Sequence, residues 1–323
     1  MSPIMPPVVP IYAALHHVSR YQYAQPVSLG PQTVRLRPAP HCRSLIAAYS
    51  LKVEPQHHYI NWYQDHLANY LARLVFTEKV SEFKVTVDMV IQMSAYNPFD
   101  FFLEPGAERY PFAYNPTVKQ ELASYLQAEP LTEATPLLQA YLHKINRNHQ
   151  ATIDFLVHLN QTVHHDLAYL TRMEPGVQAA ELTLLLGQGS CRDSAWLLVQ
   201  LLRHCGLAAR FVSGYLIELS PDARLASDAA HAAIAAIAAI AVDAATDKAT
   251  DSTELHAWCE VYLPGAGWIG LDTTSGLMAG DGHIPLACSP QPSSAAPIEG
   301  ATEKTDVIFT HQMQVTRLPQ FPL

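Results

Sequence analysis

The hydrophobic period of this chain changes twice, and that change limits the folds open to it. From about residue 16 to residue 93 apolar residues alternate or gather in short β-branched runs, as at 32–36 (QTVRL), 47–53 and 83–92. Helical spacing then takes over at 117–126, 136–146 and 151–165, where Ile153, Leu156, Val157 and Leu159 recur at turn intervals. A further helix spans 190–204 and is ended by Gly206, after which strand patterns return at 208–219, 255–263 and 268–273. Strands, then helices, then strands describe an α+β protein: an N-terminal antiparallel β domain followed by a core of helices plus antiparallel sheet. The expected divisions are a β-rich domain at 1–95, a connector at 96–116 and a core at 117–323. The connector, YNPFDFFLEPGAERYPFAYNP, is punctuated by prolines, but its Phe and Tyr content predicts that it packs down.

Composition removes several function classes. The chain has 323 residues, ample for a buried core. Of these 49% are hydrophobic, which excludes disorder along its whole length. With 20 Lys+Arg against 29 Asp+Glu the net charge is -9, which disfavours nucleic acid or an anionic membrane surface as a partner. The longest apolar run, residues 232–242, is short of the ~20 residues that span a bilayer. The proline-broken start, MSPIMPPVVP, does not read as a signal peptide. Five cysteines, an odd number without a CxxC, predict reduced thiols and a cytoplasmic protein.

An insertion at 220–253 interrupts the second strand block. Fourteen of the thirty residues 221–250 are alanine, with AAI three times in succession. Ile234, Ile237 and Ile240 form one stripe if the segment is a short helix; a loosely packed insertion fits the composition as well.

One cysteine differs from the other four. In GQGSCRDSAWLLV, Ser190 and Asp193 fit a capping box ahead of an apolar helical run, so Cys191 becomes the first helical residue. Its sulfur then lies among unpaired N–H groups at the positive end of the helix dipole. That setting, with a histidine's help, lowers a cysteine pKa from ~8.5 to roughly 3.5–7.5. Cys42, Cys205, Cys259 and Cys288 have no such setting.

The strand LHAWCEVYL offers that histidine. Alternation puts His256, Trp258, Glu260 and Tyr262 on one face and Ala257, Cys259, Val261 and Leu263 on the other, apolar one. A turn at PGAG leads into WIGLDTT. If the hairpin centres on Gly265, Trp258 stands opposite Asp272 and His256 is its diagonal neighbour; a slip of one residue would remove Asp272 from that face. A thiol, an imidazole and an orienting carboxylate are the parts of nucleophilic acyl transfer.

These segments, GSCRDSAWLLVQLLRHCGLAARFVSGYL and HAWCEVYLPGAGWIGLDTTSG, resemble the core of the bacterial transglutaminase-like proteins, within the papain-like group of cysteine enzymes. The region HHVSRYQYAQPVSLGPQTVRLRP resembles their β-rich N-terminal region, and NPFDFFLEP the connector of one bacterial branch. The resemblance implies a papain-like, transglutaminase-like core, with Cys191 as nucleophile, His256 as general base and acid, and Asp272 as the orienting residue. It implies attack on a carboxamide or peptide carbonyl through a thioester, resolved by an amine or by water, with no metal or organic cofactor. A protein or peptide substrate is the expected partner. Many relatives carry Asp-Pro-Thr where this chain has Asp272-Thr273-Thr274, which predicts a local backbone change. The alternative from another class is a non-catalytic binding module that keeps the fold.

Other residues receive secondary roles. Trp258, Trp268 and Tyr215 are expected to line the substrate groove. Asp193 reads as a helix cap, Arg210 and Gly214 as scaffold or cleft wall, and His283 as a structural histidine within reach of the site. The doublets His16-His17, His57-His58 and His164-His165 lack metal-ligand spacing.

Overall fold

A computed structural model describes residues 11–220 and 251–318. The isoleucine stripe of the insertion lies outside the described residues.

Six strands open the chain: β1 (Ile11–Val27), β2 (Leu29–Val34), β3 (Leu45–Glu54), β4 (His58–Gln64), β5 (Tyr70–Phe76) and β6 (Val80–Met93). The connector holds a two-residue strand, β7 (Arg109–Tyr110). Short helices α1 (Pro116–Glu121), α2 (Ala123–Leu126) and α3 (Pro136–Lys144) lead through β8 (Gln150–Ala151) to α4 (Thr152–Asp166). Then come β9 (Ala168–Tyr169), α5 (Ala180–Leu186), β10 (Gln188–Gly189) and α6 (Cys191–His204). The strands β11 (Ala209–Glu218), β12 (Ser252–Leu263), β13 (Gly267–Asp272), β14 (Leu277–Met278) and β15 (His283–Ser289) complete the core. Two more, β16 (Ile298–Thr302) and β17 (Val307–Leu318), follow.

The α+β class is borne out, with antiparallel sheets in both parts. The N-terminal strands make two sheets, ordered β17-β1-β6-β3 and β16-β2-β5-β4. The period-2 pattern explains their packing: Phe83, Val85, Val87, Met89, Ile91 and Met93 alternate along β6, and all are buried in one core. Here the expected division at 117–323 needs amending. β17 pairs with β1 along its whole length and β16 with β2 across one register shift, so the chain returns to close the N-terminal sheets. Strand alternation cannot reveal which sheet a strand joins.

The core sheet is ordered β14-β13-β12-β11-β15. Ala257, Cys259, Val261 and Leu263 of β12 pack in one cluster with Leu197, Leu198, Leu201 and Leu202 of α6, the face that alternation assigned to the interior. Full burial of each such leucine stabilises the fold by about 1.5–3 kcal/mol. α4 contributes Phe155, Leu156, Leu159 and Val163 to the same cluster at helical spacing. The connector packs down: Tyr110 stacks on Phe155 with ring centroids 3.8 Å apart and donates to the Cys205 carbonyl at 3.1 Å.

The β12–β13 hairpin runs from Leu263 opposite Gly267 to Cys259 opposite Leu271. It is centred on Gly265, whose φ of +90° favours glycine. A Cβ there would also come within 2.6 Å of the Glu104 backbone nitrogen, so the turn seats the connector.

Candidate active site

The nucleophile candidate is placed by its helix. Ser190 is the N-cap of α6 and Cys191 its first residue. The capping box forms, with Asp193 Oδ2 accepting the Ser190 N–H at 2.9 Å and the Ser190 hydroxyl at 2.8 Å. β10 feeds this cap and pairs in parallel with β9, which sets Tyr169 beside Gly189. Burial pushes the Cys42, Cys205, Cys259 and Cys288 thiols up, toward the neutral form.

Asp193 does more than cap. Its carboxylate also accepts two bonds from the Arg172 guanidinium, at 3.0 and 3.1 Å, and the Gln178 N–H at 2.7 Å. Arg192 donates to the Arg172 and Glu174 carbonyls at 2.8 and 3.1 Å. The Cys-Arg-Asp run therefore holds the 172–178 loop against the helix N-terminus. That loop walls a cavity of about 660 Å³ lined by Cys191, His256, Tyr169, Glu254, Trp196 and Phe309, among others.

His256 enters the same cavity from β12. Its Nε2 is 3.2 Å from Asp272 Oδ1, and its Nδ1 is 3.4 Å from Glu254 Oε1. Both are ion-pair contacts lying off the line of a straight ring N–H bond. Burial opposes charge on the ring, yet Asp272, Cys191 and Glu254 at its two nitrogens outweigh it, and the His256 pKa stands well above the ordinary histidine value. The hairpin register is the one centred on Gly265, so its last pair, Cys259 with Leu271, leaves Asp272 one step on, beside the His256 face.

Asp272 is buried, which raises a carboxyl pKa, but His256 and His283 hold it well below the carboxylate range. The Thr274 N–H donates to its Oδ1 at 2.8 Å and the Ser275 hydroxyl to its Oδ2 at 3.1 Å. Asn160 of α4 donates to its backbone carbonyl at 3.2 Å. Thr273 donates its hydroxyl to Ser194 Oγ of α6 at 2.8 Å, joining the aspartate loop to the nucleophile helix.

The three groove-lining expectations fare differently. Tyr215 is fully buried and points away from this cavity: its hydroxyl lies 2.8 Å from His17 Nδ1 of β1, and its ring packs in the N-terminal core. The reason is that β11 leaves α6 near Phe211 and runs on beneath the β domain. Trp258 and Trp268 line a second cavity, about 480 Å³, together with His41, Arg43, Arg210, Glu260 and His283. Trp258 is nonetheless adjacent to the site, its ring 6.4 Å from that of His256 and edge-on to His283 at 5.1 Å. Arg210 is a floor residue of that second cavity, ion-paired to Glu260 at 2.6 Å. Gly214 is required by close packing: a Cβ would lie 2.3 Å from the Ile284 carbonyl and 2.5 Å from the Trp258 ring.

Sequence reasoning did not find Arg172, Asn160, Ser194, Tyr169 or Glu254. Only Glu254 carries a sequence signal, being two residues from His256 on the same strand face.

Two clusters among the described residues bring metal-type ligand atoms within 4.8 Å: His41–Glu260–Cys288 and His256–Asp272–His283. In the first, the Arg210 guanidinium already supplies the cation. In the second, the Gly280 N–H donates to His283 Nδ1 at 3.1 Å, which places the His283 proton on Nε2, toward Asp272, where a metal would need a lone pair.

Residues 13–92 match the bacterial transglutaminase-like N-terminal region, and residues 139–273 match the transglutaminase-like superfamily. Uncharacterised proteins of Mycobacterium tuberculosis and Mycobacterium bovis are 23% identical over 290 residues, covering 88% of this chain and 85% of theirs. The crystal structure of a candidate cysteine protease from Cytophaga hutchinsonii superimposes with a TM-score of 0.66 at 17% identity, over 98% of this chain and 93% of that one. The two regions stand in the expected order: residues 13–92 belong to the bacterial transglutaminase-like N-terminal region, and residues 139–273, which hold α6, β12 and β13, to the transglutaminase-like superfamily.

Proposed function

We propose that the protein is a cysteine-dependent acyl-transfer enzyme acting on a carboxamide or peptide bond of a protein or peptide substrate. The observation that carries this is the placement of Cys191, first residue of a capped helix, in one cavity with a buried His256 that is ion-paired to Asp272. The thiol proton of Cys191 passes to His256 as the sulfur becomes the nucleophile. The Cys191 sulfur attacks the carbonyl carbon, and the carbonyl electron pair moves to oxygen. The Cys191 N–H, at the helix N-terminus, is positioned to stabilise that oxyanion. As the tetrahedral intermediate collapses, His256 gives its proton to the departing nitrogen, releasing ammonia or an amine and leaving a thioester. His256 then takes a proton from an incoming amine or water as it attacks, and the thiolate departs. Asp272 holds the imidazolium through the cycle.

Alkylation with limiting iodoacetamide followed by peptide mapping tests the nucleophile. Cys191 should label at least tenfold faster than Cys42 or Cys205 at pH 6, and equal labelling would overturn the assignment. A peptide library incubated with and without an added amine then separates the outcomes by mass. Backbone cleavage identifies a protease, amine gain with ammonia loss a transglutaminase, and deamidation alone an amidase.

A further inference from the structure

The Asp272 carboxylate serves two imidazoles, and their surroundings make them unequal. Oδ1 accepts from Thr274 N–H and faces His256 Nε2 at 3.2 Å; Oδ2 accepts from the Ser275 hydroxyl and faces His283 Nε2 at 3.3 Å. At the far nitrogen of His256 stands an acceptor, Glu254 Oε1, so that ring has room for two protons. At the far nitrogen of His283 stands a donor, the Gly280 N–H at 3.1 Å, so that nitrogen keeps its lone pair and the ring carries a single proton, on Nε2. His283 is held edge-on to both Trp258 and His256, at centroid distances of 5.1 and 5.9 Å. Its side chain is 12% exposed, on the wall of the second cavity. The charged or titratable groups sharing that wall are His41, Arg43, Tyr96 and the Arg210–Glu260 pair, whose guanidinium also reaches His41 Nε2 at 3.2 Å.

We propose that His283 is a positioning residue for the acyl-transfer site, an Nε2–H donor that occupies Asp272 Oδ2 and thereby keeps Oδ1 presented to His256. The role rests on reading Cys191, His256 and Asp272 as the reacting set. Loss of the donor frees the carboxylate to turn toward Ser275 and weakens its hold on the His256 imidazolium. A glutamine at 283 can place its amide N–H where Nε2 stands; a leucine cannot.

Histidine ¹⁵N spectra of the full chain carrying Cys191→Ala test this without any dependence on thiol chemistry. His283 should carry a proton on Nε2, hydrogen-bonded to Asp272. The His256 titration should fall by about one pH unit in His283→Leu, about a tenfold loss of imidazolium stability, and stay near the parent value in His283→Gln. An Nδ1–H tautomer of His283, with no proton on Nε2, overturns the proposal. So does a His256 titration that is unchanged or raised in His283→Leu. Failure of Cys191 as nucleophile would appear instead in the alkylation map, which these spectra do not touch.

Discussion

Removing the Asp193 carboxylate should unfold the chain at markedly lower denaturant, and more so than removing its cationic partner. Asp193 is fully buried, and its oxygens accept from Arg172 twice, from the Gln178 and Ser190 N–H groups, and from the Ser190 hydroxyl. Asp193→Ala leaves the Arg172 guanidinium, 15% exposed, without its main counter-ion and strands two backbone donors. Breaking a buried pair costs about 3–5 kcal/mol. Each stranded N–H would add about 1–3 kcal/mol, reduced where water from the adjoining cavity reaches it, so about 5 kcal/mol, the low end of the sum, is expected. Arg172→Ala leaves Asp193 with three donors still in place, so its cost should be nearer 2 kcal/mol, roughly that of one charged hydrogen-bonded group. Urea denaturation of both single variants and the double variant measures this. The double variant should lie close to Asp193→Ala, because both remove the same pair. Burial works to raise the Asp193 pKa, but Arg172, Gln178 and Ser190 bring it below the ordinary carboxylate value. The pair's contribution is therefore present in full above about pH 4, the unfolded value, and is lost as pH falls through the folded value. The difference between the parent and Arg172→Ala should accordingly shrink below pH 4. If Arg172→Ala proves costlier than Asp193→Ala, the carboxylate is not the hub described here.

Asp272→Asn should lower the acyl-transfer rate about 10²–10⁴-fold, with KM little changed, in whichever amide assay the parent supports. Because the His256 pKa is raised, its ion pair stabilises the fold in full below about pH 6.5, the unfolded value, and the benefit fades as pH rises through the folded value. The stability gap between the parent and Asp272→Asn, read by urea melts, should therefore close in alkaline solution. Gly214→Ala forces a methyl against the Ile284 carbonyl and the Trp258 ring; a loss of about 1–3 kcal/mol is expected in thermal melts. Tyr215→Phe removes the hydroxyl beside His17, which burial, with His311 and His16 nearby, holds down at about 4. That variant should lose about 1–2 kcal/mol while Cys191 alkylates at the parent rate, which would separate Tyr215 from the cleft.

What could be read from the sequence was local. The capping box and the position of Cys191 depend on four consecutive residues, and a helix N-terminus keeps its chemistry wherever it packs. The His256–Asp272 relation depends on one tight turn, and a hairpin centred on Gly265 fixes every pair along it. What escaped was decided by tertiary contact. Alternation gives the two faces of β11, but it does not say that α6 covers the strand at Phe211 while the β domain covers it at Tyr215. Likewise β16 and β17 follow the core in sequence yet complete sheets begun by β2 and β1, at the other end of the chain. The Arg172–Asp193 contact spans a loop of irregular backbone. No periodicity announces it.

The site poses a mechanical problem that these contacts resolve. The thiol belongs to a helix and the imidazole and carboxylate to a sheet, so the relative position of two separate elements sets the geometry of the proposed reaction. Packing alone fixes such a joint loosely, since apolar contact has no direction. Directional bonds hold the helix start on both sides, and one of them crosses to the sheet. On one side Asp193 and Arg192 tie the helix start to the 172–178 loop. On the other, Thr273 donates to Ser194 Oγ, and the Ser194 hydroxyl in turn lies 3.3 Å from the Cys191 carbonyl. Position 273 is where the resembled Asp-Pro-Thr run has proline, a residue with no hydroxyl to give. Threonine there exchanges a stiffened backbone for a helix-to-sheet hydrogen bond, and so the departure from the pattern leaves Asp272 registered against Cys191 by a different means.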